Sequence, residues 1–158
     1  MNNKLIKSFK EDNLLCIRGI FLVVFQFGLI VLHFFSFKSI DIFSELIITN
    51  IFGLNLIILG LILIIISLKG LGPNITVFPK PRKRSNLISR GIYSRIRHPM
   101  YLGLIFISLG NLFINGSFLK LTLSILLIIV ILIKIRYEEE YLIRRFPGYI
   151  KYKKKVRL

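Results

Sequence analysis

Four stretches of this chain are apolar almost throughout, and its charged residues gather in the gaps between them. Continuous apolar runs of this length read as buried or membrane-crossing helices rather than as strands or surface helices. The runs over 17–37 and 46–68 are long enough to cross a hydrocarbon core of about 30 Å. A third, over 99–114, comes to about 24 Å at 1.5 Å per residue and falls short of that core. The fourth, over 118–146, meets no helix breaker until Pro147 and reaches about 43 Å, so it overshoots on one side. The pattern predicts an all-α fold: a polytopic membrane helical bundle of about four transmembrane helices in one domain, 1–158. Its last two helices form a C-terminal hairpin turned at Asn115-Gly116.

Residues 69–98 break the pattern with Gly70, Gly72, Pro73, Pro79, Pro81 and a Lys-Pro-Arg-Lys-Arg cluster. They read as a cytosolic loop, and the apolar Ile75, Val77, Phe78, Leu87, Ile88, Ile92 and Tyr93 within it predict packing rather than a bare linker. Lys38, Asp41 and Glu45 make a short connection on the other side. Pro99 suits a first helical turn because its missing N–H is not needed there, which makes His98 the expected cap of the third helix. Gly103 and Gly110 share a face of that helix and predict close packing against a neighbour.

Composition sharpens the picture. Hydrophobic residues make up 54% of 158, too many for a soluble core of this size. The 23 lysines and arginines against 7 acids give a net charge of +16, which in a soluble protein suggests nucleic acid. Position argues otherwise. All but Lys38 and Lys120 fall on one side of the predicted spans, a positive-inside asymmetry that places both termini in the cytoplasm. The partner is then the lipid bilayer, with Lys153-Lys154-Lys155 suited to anionic headgroups, and no nucleic acid. The first run is too long for a signal peptide and is expected in the mature protein. The lone Cys16 excludes an internal disulfide and reads as a buried thiol. Paired His/Cys spacing for a metal, a P-loop and a Gly-x-Gly-x-x-Gly element are all missing from the sequence. Abundant lysine, isoleucine and asparagine with a compact span count suggest a prokaryotic inner membrane. His33, alone in the first run, reads as a packed or snorkelling histidine without a role.

Chemistry gathers where the third and fourth helices meet the cytosol. Arg97-His98-Pro99-Met100-Tyr101-Leu102-Gly103 opens the third helix, and Glu138-Glu139 lies on the overshooting end of the fourth. Ionisable residues at the mouth of an apolar segment are costly unless used. With Leu87-Ile88-Ser89-Arg90-Gly91-Ile92-Tyr93 before them, and Leu142, Phe146, Tyr149 and Tyr152 behind the glutamates, these elements make the chain resemble the isoprenylcysteine carboxyl methyltransferase and phospholipid methyltransferase superfamily of integral-membrane enzymes. The likeness covers roughly residues 73–157.

The resemblance implies a cytosolic pocket for S-adenosyl-L-methionine, lined by Ser85, Asn86, Leu87, Ile88, Tyr93, His98, Pro99, Met100, Tyr101 and Glu138, with Lys134 on the acceptor side. It implies methyl transfer to a membrane-associated, lipophilic acceptor, a carboxylate in the prenylcysteine case. Physical chemistry suits such an assignment. A helix N-terminus with Arg97 receives a carboxylate, Glu138 supplies the opposite charge, and Tyr93 and Tyr101 offer aromatic faces. Lys134 and Glu138 share a helix face. Lysine where prenylcysteine enzymes carry arginine cannot give a bidentate fork to a carboxylate, so the acceptor's identity stays open. No catalytic residue is assigned, and Glu139 is the only spare base nearby. Plainer readings exist: His98 as a helix cap only, and Glu138 to Glu140 as a solvated face paired with Arg136, Arg144 and Arg145. Two other functions compete, a nicotinamide-dependent membrane reductase related to sterol reductases and a non-catalytic membrane scaffold. Oligomeric state is not legible.

Overall fold

The computed structural model describes residues 2–35, 47–74 and 86–156, with side chains described from residue 17 onward. The connection holding Lys38, Asp41 and Glu45, the packing expected of Ile75, Val77 and Phe78, the basic cluster after Pro79, Ser85 and the side chain of Cys16 all lie outside those residues. The described chain is an all-α membrane bundle: α1 (Asn2–Phe34), α2 (Ile47–Leu71), α3 (Pro99–Asn115), α4 (Phe118–Arg145) and α5 (Tyr149–Lys155). Short 3-10 turns occupy Gly72–Asn74 and Gly91–Ser94. Among the described residues three helices are long and apolar enough to cross a membrane, and α3 is a shorter apolar one. Compared with the sequence expectation, α2 runs on through Gly70 to Leu71, and α5 is an additional element.

Small residues decide how α2 and α3 meet. The buried positions of α2 are Gly53, Gly60 and Ser67, one every seventh residue, while Phe52, Leu54, Leu59, Leu61 and Ile65 face outward. Apolar side chains gain nothing by leaving lipid for one another, so association between membrane helices depends on backbones approaching closely. The two helices run antiparallel, with Gly53 against Gly110 and Gly60 against Gly103, and form the most extensive helix pair in the molecule. A Cβ on any of the four would sit 2.5–2.6 Å from the partner glycine's carbonyl oxygen.

Large side chains build the other half. Leu123, Leu127, Val130, Ile131 and Ile135 of α4 pack with Leu29 of α1 and Tyr101 of α3, and Ile131 is wholly buried. The far end of α1 is closed by its neighbours. Lys120 Nζ donates to the carbonyls of His33 and of Phe35 (2.9 Å), and Asn111 Nδ2 donates to that of His33 (2.9 Å). A cation and an amide thus serve carbonyls that the helix terminus leaves unpaired. Lys120, read from sequence as a charge on the outer surface, is instead buried as this cap. His33 is packed, its Nε2 3.2 Å from the Ser108 carbonyl, and Ser108 Oγ donates to Ser124 Oγ at 2.9 Å. Gly116, at φ +55°, ends α3 in the left-handed conformation that glycine adopts without steric penalty.

Candidate active site

From Asn86 onward the chain lies against the end of α2 before entering α3. Asn74 Oδ1 accepts from the Asn86 backbone N–H at 3.3 Å, joining the end of α2 to the resumed chain. Gly91, at φ +61°, then turns the backbone where a Cβ would be strained, and the following turn lays Tyr93 against α2. Gly70 leaves room for that ring, since a Cβ there would lie 3.2 Å from Tyr93 Cε2. The Tyr93 hydroxyl donates to the Ser67 carbonyl at 3.3 Å. Burial pushes this phenol up to about 12, so it stays a neutral donor.

His98 holds the N-cap position of α3, but its ring makes no capping bond. The ring turns toward α4 instead. Its Nδ1 lies 3.9 Å from Glu138 Oε2, its Nε2 lies 3.4 Å from Glu139 Oε1, and it stacks on Tyr101 with centroids 5.8 Å apart. Tyr101 in turn donates a short hydrogen bond to Glu138 Oε1. The plain cap reading of His98 therefore fails.

The two glutamates do different work. Glu138 faces a hollow that also takes in Asn86, Leu87, Ile88, Tyr93, Arg97, His98, Pro99, Met100 and Tyr101. Glu139 stands behind that wall and ties it together. Its Oε1 lies 2.6 Å from Arg97 Nη1 and accepts from the Tyr149 hydroxyl at 3.3 Å, and its Oε2 meets Lys153 Nζ at 2.6 Å. Four groups from two segments, Arg97 and His98 at the start of α3 and Tyr149 and Lys153 of α5, converge on one buried carboxylate. Burial and the neighbouring Glu139 charge both raise the Tyr149 phenol, which keeps its proton in this bond. Glu140 points away and pairs with Arg144 at 2.6 Å on the exposed surface.

α5 closes the remaining side with Tyr149 and Tyr152, beside Leu142 and Phe146 from the end of α4 and the loop after it. The Tyr152 hydroxyl donates to the Tyr93 carbonyl at 2.5 Å, so the C-terminal helix is strapped to the turn after Gly91. The hollow measures about 890 Å³ with its open mouth and the solvent in it counted. Every pocket residue expected from sequence lines it except Ser85, which lies outside the described residues. Lys134 does not line it. That lysine is buried toward α1, donating to Gln26 Oε1 at 3.1 Å, and reaches the hollow's wall only through the Tyr101 ring, 5.1 Å from Nζ to centroid.

Residues 48–148, which contain α2, α3, α4 and most of this wall, match the phospholipid methyltransferase family. The chain belongs to that family. It is also 36% identical over 135 residues to a protein-S-isoprenylcysteine O-methyltransferase of Saccharomyces cerevisiae, covering 77% of this chain and 54% of the yeast protein. The chain thus spans about half the length of that relative. No solved structure matches it. Both findings place it in the methyltransferase superfamily that its three motifs resemble. Within this phospholipid methyltransferase fold, Leu71 and Asn74 were not anticipated from sequence as pocket residues, nor Leu142, Phe146, Tyr149 and Tyr152, which entered only as part of the motif. Their signal was spacing: Glu138, Leu142 and Phe146 recur every fourth residue, and Tyr149 and Tyr152 every third, so each set shares a helical face.

The residues around the hollow suit a zwitterionic, sulfonium-bearing cofactor. Arg97 is among its lining residues, with Nη1 2.6 Å from Glu139 Oε1 and a buried Nε that has no hydrogen-bond partner among the described residues. A cationic donor with unspent capacity, a carboxylate facing it and a ring of aromatic walls form a complementary donor set.

Proposed function

We propose that this protein transfers a methyl group from S-adenosyl-L-methionine to a lipophilic acceptor at the cytoplasmic face of a membrane. The observation that carries the reading is the convergence of His98, Arg97 and Glu138 on one aromatic-walled hollow at the inner ends of α3 and α4. When bound, the cofactor supplies an electrophilic methyl group on sulfur. Arg97 and the first turn of α3 would hold its carboxylate, Glu138 would answer its positive charge, and Tyr93 and Tyr101 would offer aromatic faces to it. His98 is positioned between the two glutamates and orders the wall.

Displacement at carbon needs alignment and exclusion of water more than acid–base chemistry. The strap of α5 serves exclusion, since Tyr149 and Tyr152 stand over the hollow. An acceptor carboxylate arrives ionised and needs no base. Lys134, beside Tyr101 and held by Gln26, would serve the acceptor's polar end as a point charge only on giving up that partner. Purified protein should bind S-adenosylmethionine by calorimetry, and His98→Ala or Glu138→Ala should abolish that binding while the chain still elutes as a folded, monodisperse species. Retained affinity in both variants would overturn the site.

A further inference from the structure

A second hollow lies on the other side of the wall formed by Leu87 and Tyr152, which line both. Ser89, Ser94, Gly148, Lys151, Lys155 and Val156 complete it, and it measures about 640 Å³ with its mouth counted. Its chemistry is one-signed. Lys151 and Lys155 are four apart on α5 and so project from one face, where like charges disfavour a short helix. Neither has an ion pair among the described residues. The neighbouring glutamates cannot supply one. Glu138 is engaged by Tyr101, Glu139 by Arg97 and Lys153, and Glu140 by Arg144. Residues 75–85 contain no acid.

The polybasic tail read from sequence therefore divides. Lys153 is taken inward by Glu139, whereas Lys151 and Lys155 are left to face a concave surface that no carboxylate of the described residues lines. Ser94 Oγ donates to the Gly91 carbonyl at 2.7 Å and so offers a lone pair rather than a proton, which leaves Ser89 as the side-chain hydroxyl donor. Two ammonium groups and a hydroxyl around a hollow, just beyond the end of α4, match a phosphate group in charge, donor demand and location. We propose that this hollow binds a phosphate group, carried by an anionic phospholipid headgroup or free in the cytosol, next to the cofactor pocket and separate from it.

Binding is read without methyl chemistry. Full-length protein in zwitterionic micelles is titrated with short-chain phosphatidylglycerol, with the matching phosphatidylcholine and with inorganic phosphate, using native mass spectrometry and thermal unfolding. Wild type retains phosphatidylglycerol over phosphatidylcholine, and Lys151→Gln/Lys155→Gln weakens that retention about thirtyfold, at about fivefold for each lysine near an anionic group. Lys151→Arg/Lys155→Arg keeps it, and Lys154→Gln, which removes an exposed charge off the hollow, changes it by no more than a few-fold. A stabilising shift with inorganic phosphate alone assigns the site to the dissolved ion, and a response to phosphatidylglycerol alone assigns it to lipid. Equal retention by the double glutamine variant and Lys154→Gln overturns the proposal, as does failure of both anions to bind.

Discussion

Three consecutive glutamates on one helix have three different environments, because each residue turns about 100° around the axis of a 3.6-residue helix. Glu138 faces the hollow, Glu139 is buried among donors, and Glu140 is exposed beside Arg144. Their substitutions should therefore differ sharply. Removing one partner of a buried charge cluster strands the others, so Glu139→Ala should lower stability by about 3–5 kcal/mol. Glu140→Ala breaks only an exposed pair and should change stability by less than about 1 kcal/mol. Thermal unfolding in detergent reads both, and equal effects would contradict the assigned environments. Tyr93 allows a pH test with a defined sign. Its phenol is raised by burial from an ordinary 10 to about 12, so the folded state holds the proton more tightly than the unfolded state. That contribution is complete below pH 10 and is lost as pH climbs to about 12. Tyr93→Phe should be less stable at neutral pH by about 1 kcal/mol, the value of the hydrogen bond to Ser67. Between pH 10 and 12 the two melting temperatures should converge.

Glycine shows at the scale of the helix how one substitution takes either sign. Gly60 and Gly103 meet backbone to backbone, and an added methyl at Gly60 would lie 2.6 Å from a carbonyl oxygen that cannot swing aside. Gly60→Ala should therefore push α2 and α3 apart and destabilise the bundle by about 1–3 kcal/mol. Gly28 in α1 has nothing within 4 Å of the same added methyl, and Gly28→Ala should be neutral or stabilising by up to about 1 kcal/mol. A side-by-side denaturation series in micelles decides the matter, and stabilisation by both would remove glycine packing from the fold's account. The Gly103 and Gly110 face was legible because a seven-residue spacing repeats a helical face. Its partner face was present in the same form in Gly53 and Gly60, but nothing in one sequence says which helix docks on which. The cap on α1 was hidden for the same reason. Lys120 looks like a surface charge until α4 is seen crossing the open carbonyls of His33 and Phe35. α5 was illegible for another reason, since Tyr-Ile-Lys-Tyr-Lys-Lys-Lys reads as a basic tail and becomes a helix only when Tyr149 and Tyr152 find Glu139 and Tyr93.

The molecule as a whole was read from sequence mainly through polarity, because crossing lipid leaves few alternatives to apolar helices. The pocket residues were legible where a motif held them contiguously, as in residues 97–101. Lys134 shows where this stops: it shares a helix face with Glu138, yet the Tyr101 ring stands between it and the hollow and Gln26 of α1 takes its ammonium. The orientation proposed for the bilayer rests on charge. Lys151, Lys153, Lys154 and Lys155 lie at the same end of α4 as the hollow, while the Asn115-Gly116 turn closes the opposite end with one buried lysine nearby. Loops rich in lysine and arginine favour the cytoplasmic side, so the proposed orientation has the hollow facing the cytoplasm and the turn on the far side. Labelling tests this in a Cys16→Ser background, because that removes the chain's one native thiol. Lys154→Cys should react with a membrane-impermeant maleimide only in inside-out vesicles, and Asn115→Cys only in intact cells, both side chains being exposed. The opposite pattern would place the hollow away from the cytosolic cofactor and defeat methyl transfer as its function, whatever the geometry of His98 and Glu138.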